Sequence, residues 1–203
     1  MRSFFNACID LIFPRQCFNC KAYGGTFCDH CRSILESKPE WQDINGLRIY
    51  NAYIFANPMV KQCIYHAKYL GEPKLLEYMV EKIQKIDIND IDIIIPVAIH
   101  KRRLIERGFN QAEIIAKALL QSDIEVNTIT LIRKRYTVSQ TKISKELRSE
   151  NIKDAFIIKK SLIGKRCLLV DDVVTTGSTL LACKKAIEQA GGICEKAICL
   201  ARG

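Results

Sequence analysis

The 203 residues, 48% hydrophobic and 26% charged, suffice for one sizeable core and exclude two full domains, a disordered chain and collagen-like or mucin-like repeats. No apolar run reaches the roughly 18 residues of a membrane-spanning helix, and "MRSFFNACIDLIFPRQC", broken by Asn6, Asp10 and Pro14, lacks a small-residue cleavage site, so a leaderless cytoplasmic chain is expected. The whole net charge of +9 resides between Lys101 and Arg166, where 16 Lys and Arg face 7 Asp and Glu; such a patch suits a phosphate, a pyrophosphate or a nucleic acid, unless it is an ordinary solvated surface.

In chain order, "FFNACIDLIF" comes first and places Phe4, Phe5, Cys8, Leu11 and Ile12 on one helical face. That face is expected to pack on the segment after it, with weak peripheral membrane contact as the alternative. Next, "CFNCKAYGGTFCDHC" spaces Cys17, Cys20, Cys28 and Cys31 as C-x2-C, seven residues, C-x2-C. Each pair aims two thiolates at one cation, and two pairs complete a tetrahedral, closed and therefore structural Zn2+ site. Disulfides are the alternative, disfavoured in a reducing compartment. His30 is read as a bystander. The other cysteines, Cys8, Cys63, Cys167, Cys183, Cys194 and Cys199, fall among apolar residues and read as small buried hydrophobes. Residues 1–45 are thus expected to form an N-terminal helix and four-cysteine lobe, and residues 46–203 the main domain.

Within the main domain "LRIYNAYIF" alternates like a strand, and "NPMVKQCIYHAKYLG" and "EPKLLEYMVEKIQK" carry helical periods, with Asn57-Pro58 as a helix start. "IDIIIPV" reads as a buried strand and "NQAEIIAKALLQ" as a helix. "TITLIRK" and "DAFIIKK" are strand candidates, "RCLLVDDVV" a second buried strand, "STLLACKKAIEQA" a helix and "ICEKAICLA" a last strand. Helices interleaved with continuous apolar strands predict an α/β fold, a mostly parallel sheet flanked by helices. Ligands in such sheets gather at the carboxyl ends of strands, where "PVAIHKRR" and "DDVVTTGST" are placed as loops.

The second loop joins a strand end to a helix start. Thr175, Thr176, Ser178 and Thr179 offer hydroxyls, Gly177 permits close approach, and the helix terminus offers N–H groups and partial positive charge, which together make a phosphate cradle. Asp171 and Asp172 repel that phosphate and must face hydroxyls or a metal ion beside it. A ribose 5-phosphate presents both a phosphate and a diol. "IGKR" lacks the Ser or Thr and the first Gly of a Walker loop, and there is no G-x-G-x-x-G turn. A capped helix with an acidic turn is the plain alternative.

"VDDVVTTGSTL" resembles the phosphoribosyl pyrophosphate (PRPP) signature of type I phosphoribosyltransferases. "KYLGEPKL" from Lys68, "PVAIHKRRLIERGFNQAEIIAKAL" from Pro96 and "TVSQTKISKELRSENIKDAF" from Thr137, with the cysteine lobe, resemble the ComF competence branch of that family over most of the chain. The resemblance implies that Asp171 and Asp172 hold the ribose diol, that Thr175 through Thr179 hold the 5-phosphate, and that Mg2+ bridges pyrophosphate and ribose oxygens. Lys101, Arg102, Arg103 and Arg107 are then the cations for the leaving pyrophosphate, Arg by a bidentate fork, with Arg102 and Arg107 beside the two acids as catalytic groups. Ala98 departs from the Pro usual in relatives. The stretch from Arg133 to Arg148 suits a flap over PRPP. The implied role is a Mg2+-dependent phosphoribosyltransferase of unknown acceptor, acting in natural transformation on incoming single-stranded DNA beside other competence proteins. The alternative is a nucleic-acid-binding module with a vestigial or regulatory PRPP site, although Tyr136 stands almost alone as an aromatic in the basic stretch.

Overall fold

The computed structural model describes residues 15–83, 86–119, 124–134 and 155–203. The apolar segment before Arg15, the proposed flap beyond Lys134, and Cys8, Arg135, Tyr136, Arg148 and Asn151 lie outside these residues.

Six strands form one sheet in the order β1-β2-β8-β7-β3-β4. They are β1 (Glu40–Ile44), β2 (Leu47–Ile54), β3 (Ile93–Pro96), β4 (Glu125–Val126), β7 (Arg166–Val174) and β8 (Ile193–Arg202). Every pairing is parallel except that of β1 with β2. The central strands are buried on both faces, as their unbroken apolar runs require. Two further strands, β5 (Leu131–Arg133) and β6 (Phe156–Ile158), pair antiparallel as a separate ribbon. The mostly parallel sheet is thus as expected, while "TITLIRK" and "DAFIIKK" leave it to form a small accessory sheet.

The helices are α1 (Asp29–Ser33), α2 (Pro58–Tyr69), α3 (Lys74–Glu81), α4 (Lys101–Arg107), α5 (Gln111–Ala118) and α6 (Ser178–Gln189). Asn57 caps α2, its side chain accepting from Met59 N at 2.9 Å, with Pro58 in the first turn. Asn110 does the same for α5.

Two apolar layers sandwich the sheet. On one side α2, α3 and α5 pack with Leu168, Val170 and Ile198; on the other α6, β5 and β6 pack with Cys167, Leu169 and Ala197. Alternate residues of β7 serve opposite layers, as strand geometry dictates. The first layer also contains Cys17, Phe27, Cys31 and Leu35, so the cysteine lobe has no core of its own and is an extension of the larger one.

Two elements differ from the sequence reading. Strand β1 precedes Gly46, where the pattern was expected to begin, and joins β2 through a tight turn at Asn45 (φ 51°) and Gly46 (φ 73°). Only residues 97–100 of "PVAIHKRR" form a loop; Lys101 opens α4, which His100 caps by accepting from Arg102 N at 3.2 Å and Gly108 ends at φ 80°. Helix α4 buries no residue, so it has no apolar period to read.

Candidate active site

Strand β7 ends in the dipeptide Asp171-Asp172, and strand alternation sends the two carboxyls to opposite faces. Asp172 enters the α2 layer, where Lys68 Nζ pairs with Oδ2, and its Oδ1 accepts from Val173 N at 2.8 Å. Both partners are largely enclosed, with side chains 18% and 10% exposed. Asp171 enters the α6 layer and its Oδ1 accepts from Asp172 N at 2.9 Å. Burial, then the charge of Asp172, push the Asp171 carboxyl up to about 8.

That displacement has a measurable sign. Between about pH 4 and about 8 the folded protein keeps a proton on Asp171 that the unfolded chain releases, so this group makes stability fall as pH rises across that window. Asp171→Asn keeps the acceptor for Asp172 N and removes the charge. The variant should therefore unfold at a higher temperature than the parent, with a gap widening from pH 4 to pH 8. Thermal melts of the two proteins across that range check this; a constant gap would mean that Asp171 ionises normally.

After β7 the chain passes Thr175 and Thr176 to Gly177, the cap residue of α6, in the left-handed region at φ 74°. A Cβ here would lie 2.8 Å from Ile44 Cδ1, so β1 closes down on the turn; the Ile44 side chain would have to shift, and the positive φ strains any side chain whatever the space. Thr176 Oγ1 and Ser178 Oγ are 2.9 Å apart, and Ser178 N donates to Thr176 Oγ1 at 3.4 Å. The cap residue Gly177 offers α6 no side chain, and the first turn holds no acid, so the positive end of a 12-residue helix faces a rim of hydroxyls. The loop thus has the donors and polarity of an anion cradle, next to two acids that must turn elsewhere.

The cations expected around a pyrophosphate lie on α4, which follows β3, the neighbour of β7; Val97 N donates to Val170 O at 2.8 Å. Arg102 pairs with Glu106 at 3.1 Å along the helix surface, and Lys101 is exposed. Arg107 turns toward α2, Nη2 donating to Tyr69 Oη at 3.4 Å. Arg103 is within electrostatic reach of Arg133, a residue of β5 whose guanidinium lies 5.3 Å from the Phe156 ring centroid. Burial, then Arg103, lower the Arg133 pKa, and the Asp171 charge opposes them.

Lys68 and Arg133 are thus site residues that the assignment from motifs omits. Lys68 stands first in "KYLGEPKL", the segment whose resemblance to the competence branch was the available signal. Arg133, a cation closing an apolar strand, carried a weaker one.

The sulfur atoms of Cys17, Cys20, Cys28 and Cys31 all lie within 4.8 Å of one another. Zn2+ held at about 2.3 Å by four thiolates needs S···S edges of about 3.8 Å, so the cluster fits a tetrahedral ion with small adjustment. Cys17 N donates to Ala22 O and Lys21 N to Cys17 O, folding the first pair into a tight knuckle, and Asn19 Nδ2 donates to Cys31 Sγ at 3.3 Å. Burial raises the pKa of the Cys17 thiol, but backbone N–H groups of Cys20, Cys28 and Asn19 outweigh it and bring the thiol down to about 6, toward the ligating form. His30 is outside the cluster, and the described cysteines are all free thiols. Cys63, Cys167, Cys183, Cys194 and Cys199 are buried, as expected.

The lobe grips the end of α2. Phe18 packs on Phe27 at 4.9 Å and on His66 at 4.5 Å, Thr26 Oγ1 and Arg15 both bind Glu72, and Tyr78 Oη donates to Arg32 O at 2.6 Å.

With this geometry in hand, the phosphoribosyl transferase domain family matches residues 75–203, from α3 through β8. The chain belongs to the phosphoribosyltransferase family. The family segment holds β7, its acidic dipeptide and the hydroxyl-rich turn, whereas Lys68 and the cysteine lobe precede it. Relatives of this phosphoribosyltransferase-family protein match the preceding region too. DNA utilization protein YhgH of Escherichia coli O157:H7 is 30% identical over 184 residues, covering 85% of this chain and 77% of the relative. Competence protein F of Haemophilus influenzae is 28% identical over 188 residues (88% and 80%), and competence protein ComFC of Bacillus subtilis 26% over 157 (74% and 62%). No helix among the described residues is long and apolar enough to cross a membrane.

Proposed function

We propose that this phosphoribosyltransferase-family protein binds PRPP with Mg2+ and serves competence by acting on incoming single-stranded DNA. The observation that carries the reading is Asp171, a carboxyl whose burial disfavours its charged form, at a strand end beside a hydroxyl-rimmed helix terminus. An acid held at that disadvantage in the free protein suits hydroxyls or a cation arriving with a ligand. Two adjacent carboxyls are hard oxygen donors of the kind Mg2+ takes, and the ion would supply charge neutralisation for the pyrophosphate. The chain's own part is to hold the 5-phosphate at Thr175 through Thr179, to orient the diol through Asp171 and Asp172, and to bring Lys101, Arg102, Arg103 and Arg107 toward the pyrophosphate. Zn2+ on the four thiolates would hold the lobe together. The names of the DNA utilization and competence relatives support the cellular role.

A second reading, a nucleic-acid-binding protein that binds PRPP without turnover, draws support from Arg102 and Arg107, which are engaged by Glu106 and Tyr69.

Calorimetric titration of PRPP with Mg2+ into the zinc-loaded protein should give saturable binding that Asp171→Asn/Asp172→Asn abolishes. No binding by the parent protein would remove the PRPP reading. Pyrophosphate release in the presence of single-stranded DNA separates turnover from binding alone.

A further inference from the structure

Helix α2 turns Lys61, Tyr65 and Tyr69 outward, at i, i+4 and i+8, with the largely enclosed Lys68 at i+7 on the same stripe. Its buried face is Val60, Cys63, Ile64 and Ala67, so the two tyrosines are not what seats the helix. They are 49% and 57% exposed, with ring centroids 5.2 Å apart and planes inclined at 46°. From α4, Arg107 lays its guanidinium 5.1 Å from the Tyr69 ring centroid. A cleft of about 260 Å3 runs along the stripe and extends to Phe55. Neither Lys61 nor Arg107 has a carboxylate partner among the described residues.

An exposed aromatic pair flanked by cations without acids has a particular complement. Its ring faces accept flat, unstacked partners, and its cations accept regularly spaced anions. Gln62 is the one uncharged amide along the cleft, so few groups there discriminate between bases. Single-stranded DNA offers base faces and phosphates together, whereas a duplex hides the faces inside its stack.

We propose that this face of α2 is the docking site for single-stranded DNA, with bases stacked on Tyr65 and Tyr69 and phosphates paired with Lys61 and Arg107. The inference rests on the reading that the chain acts on DNA strands and adds where the strand lies. Lys68 borders the cleft and pairs with Asp172, so strand and diol site share a side chain.

The test is fluorescence anisotropy of a labelled 20-mer of thymidylate, titrated with full-length zinc-loaded protein. Tyr65→Ala/Tyr69→Ala should weaken binding by about 30-fold, the lower end for two lost stacks. Tyr65→Phe/Tyr69→Phe should stay within about twofold, because the ring faces remain. Far-UV circular dichroism and the thermal unfolding midpoint of the Ala variant should match the parent, establishing that the fold is intact. If the parent binds the strand and the Ala variant binds equally well, the docking site is elsewhere and only this inference falls. A parent that binds PRPP but no strand removes the DNA reading and this inference with it. Binding of free thymine without the strand, or equal tyrosine-dependent binding of a duplex, would also overturn the proposal.

Discussion

Lys68→Met should destabilise the protein by about 3 kcal/mol at neutral pH, because it leaves the Asp172 carboxylate enclosed without its cation. The estimate sits at the low end for a broken buried pair, since both side chains keep slight exposure. Methionine preserves the stem of lysine, so the loss isolates the charge. Lys68→Met/Asp172→Asn should recover most of the loss, and denaturant unfolding of the four proteins of this cycle measures the coupling. Additive single effects would mean that the two groups do not interact in solution.

Removing the metal from the four-cysteine cluster should loosen α2 well before the sheet unfolds. Apparent binding free energies of structural zinc in small domains are about 10–16 kcal/mol, as large as the whole stability of many proteins. Here the lobe shares the larger core through Cys17, Phe27 and Cys31, and grips α2 and its following turn through the Phe18 contact with His66 and the bonds to Glu72. Chelation, or Cys17→Ser/Cys31→Ser, should therefore accelerate amide exchange across residues 64–70 while β7 and β8 stay protected. Because that segment contains Lys68, PRPP affinity should fall by about tenfold, a coupling of ordinary size. Unchanged protection of α2 after complete metal removal would show that the lobe is an appendage.

The parts of this architecture that were legible in the sequence are those whose signal is local. "RCLLVDDVVTTGSTL" declares a strand buried on both faces, a turn and a helix start within fifteen residues, because each transition changes residue type abruptly. The four cysteines are equally local. Strand β1 was missed although Asn45-Gly46 is a strong turn signal, since one face of its five residues is exposed and no apolar alternation marks it. Helix α4 was invisible for the opposite reason: with nothing buried, its seven residues look like a basic loop, and only His100 and Gly108 betray its ends. The pairing of Lys68 with Asp172, 104 positions apart, and the approach of Arg133 depend on which layer each element joins. The family resemblance assigns Arg107 to the pyrophosphate, and only the fold shows that its guanidinium rests beside the Tyr69 ring.

The alternation of Asp171 and Asp172 across β7 makes the length of that strand as consequential as its composition. One acid answers to the layer built by α2 and the cysteine lobe, the other to the layer built by α6 and the β5–β6 ribbon. Leucines and valines along β7 can be exchanged for one another with modest repacking. Deleting a single residue between Cys167 and Val170 would send every later side chain to the other face, setting Asp171 toward Lys68 and Asp172 toward Cys183. Descendants of this chain are free to drift in the identity of those residues and are held rigidly to their number.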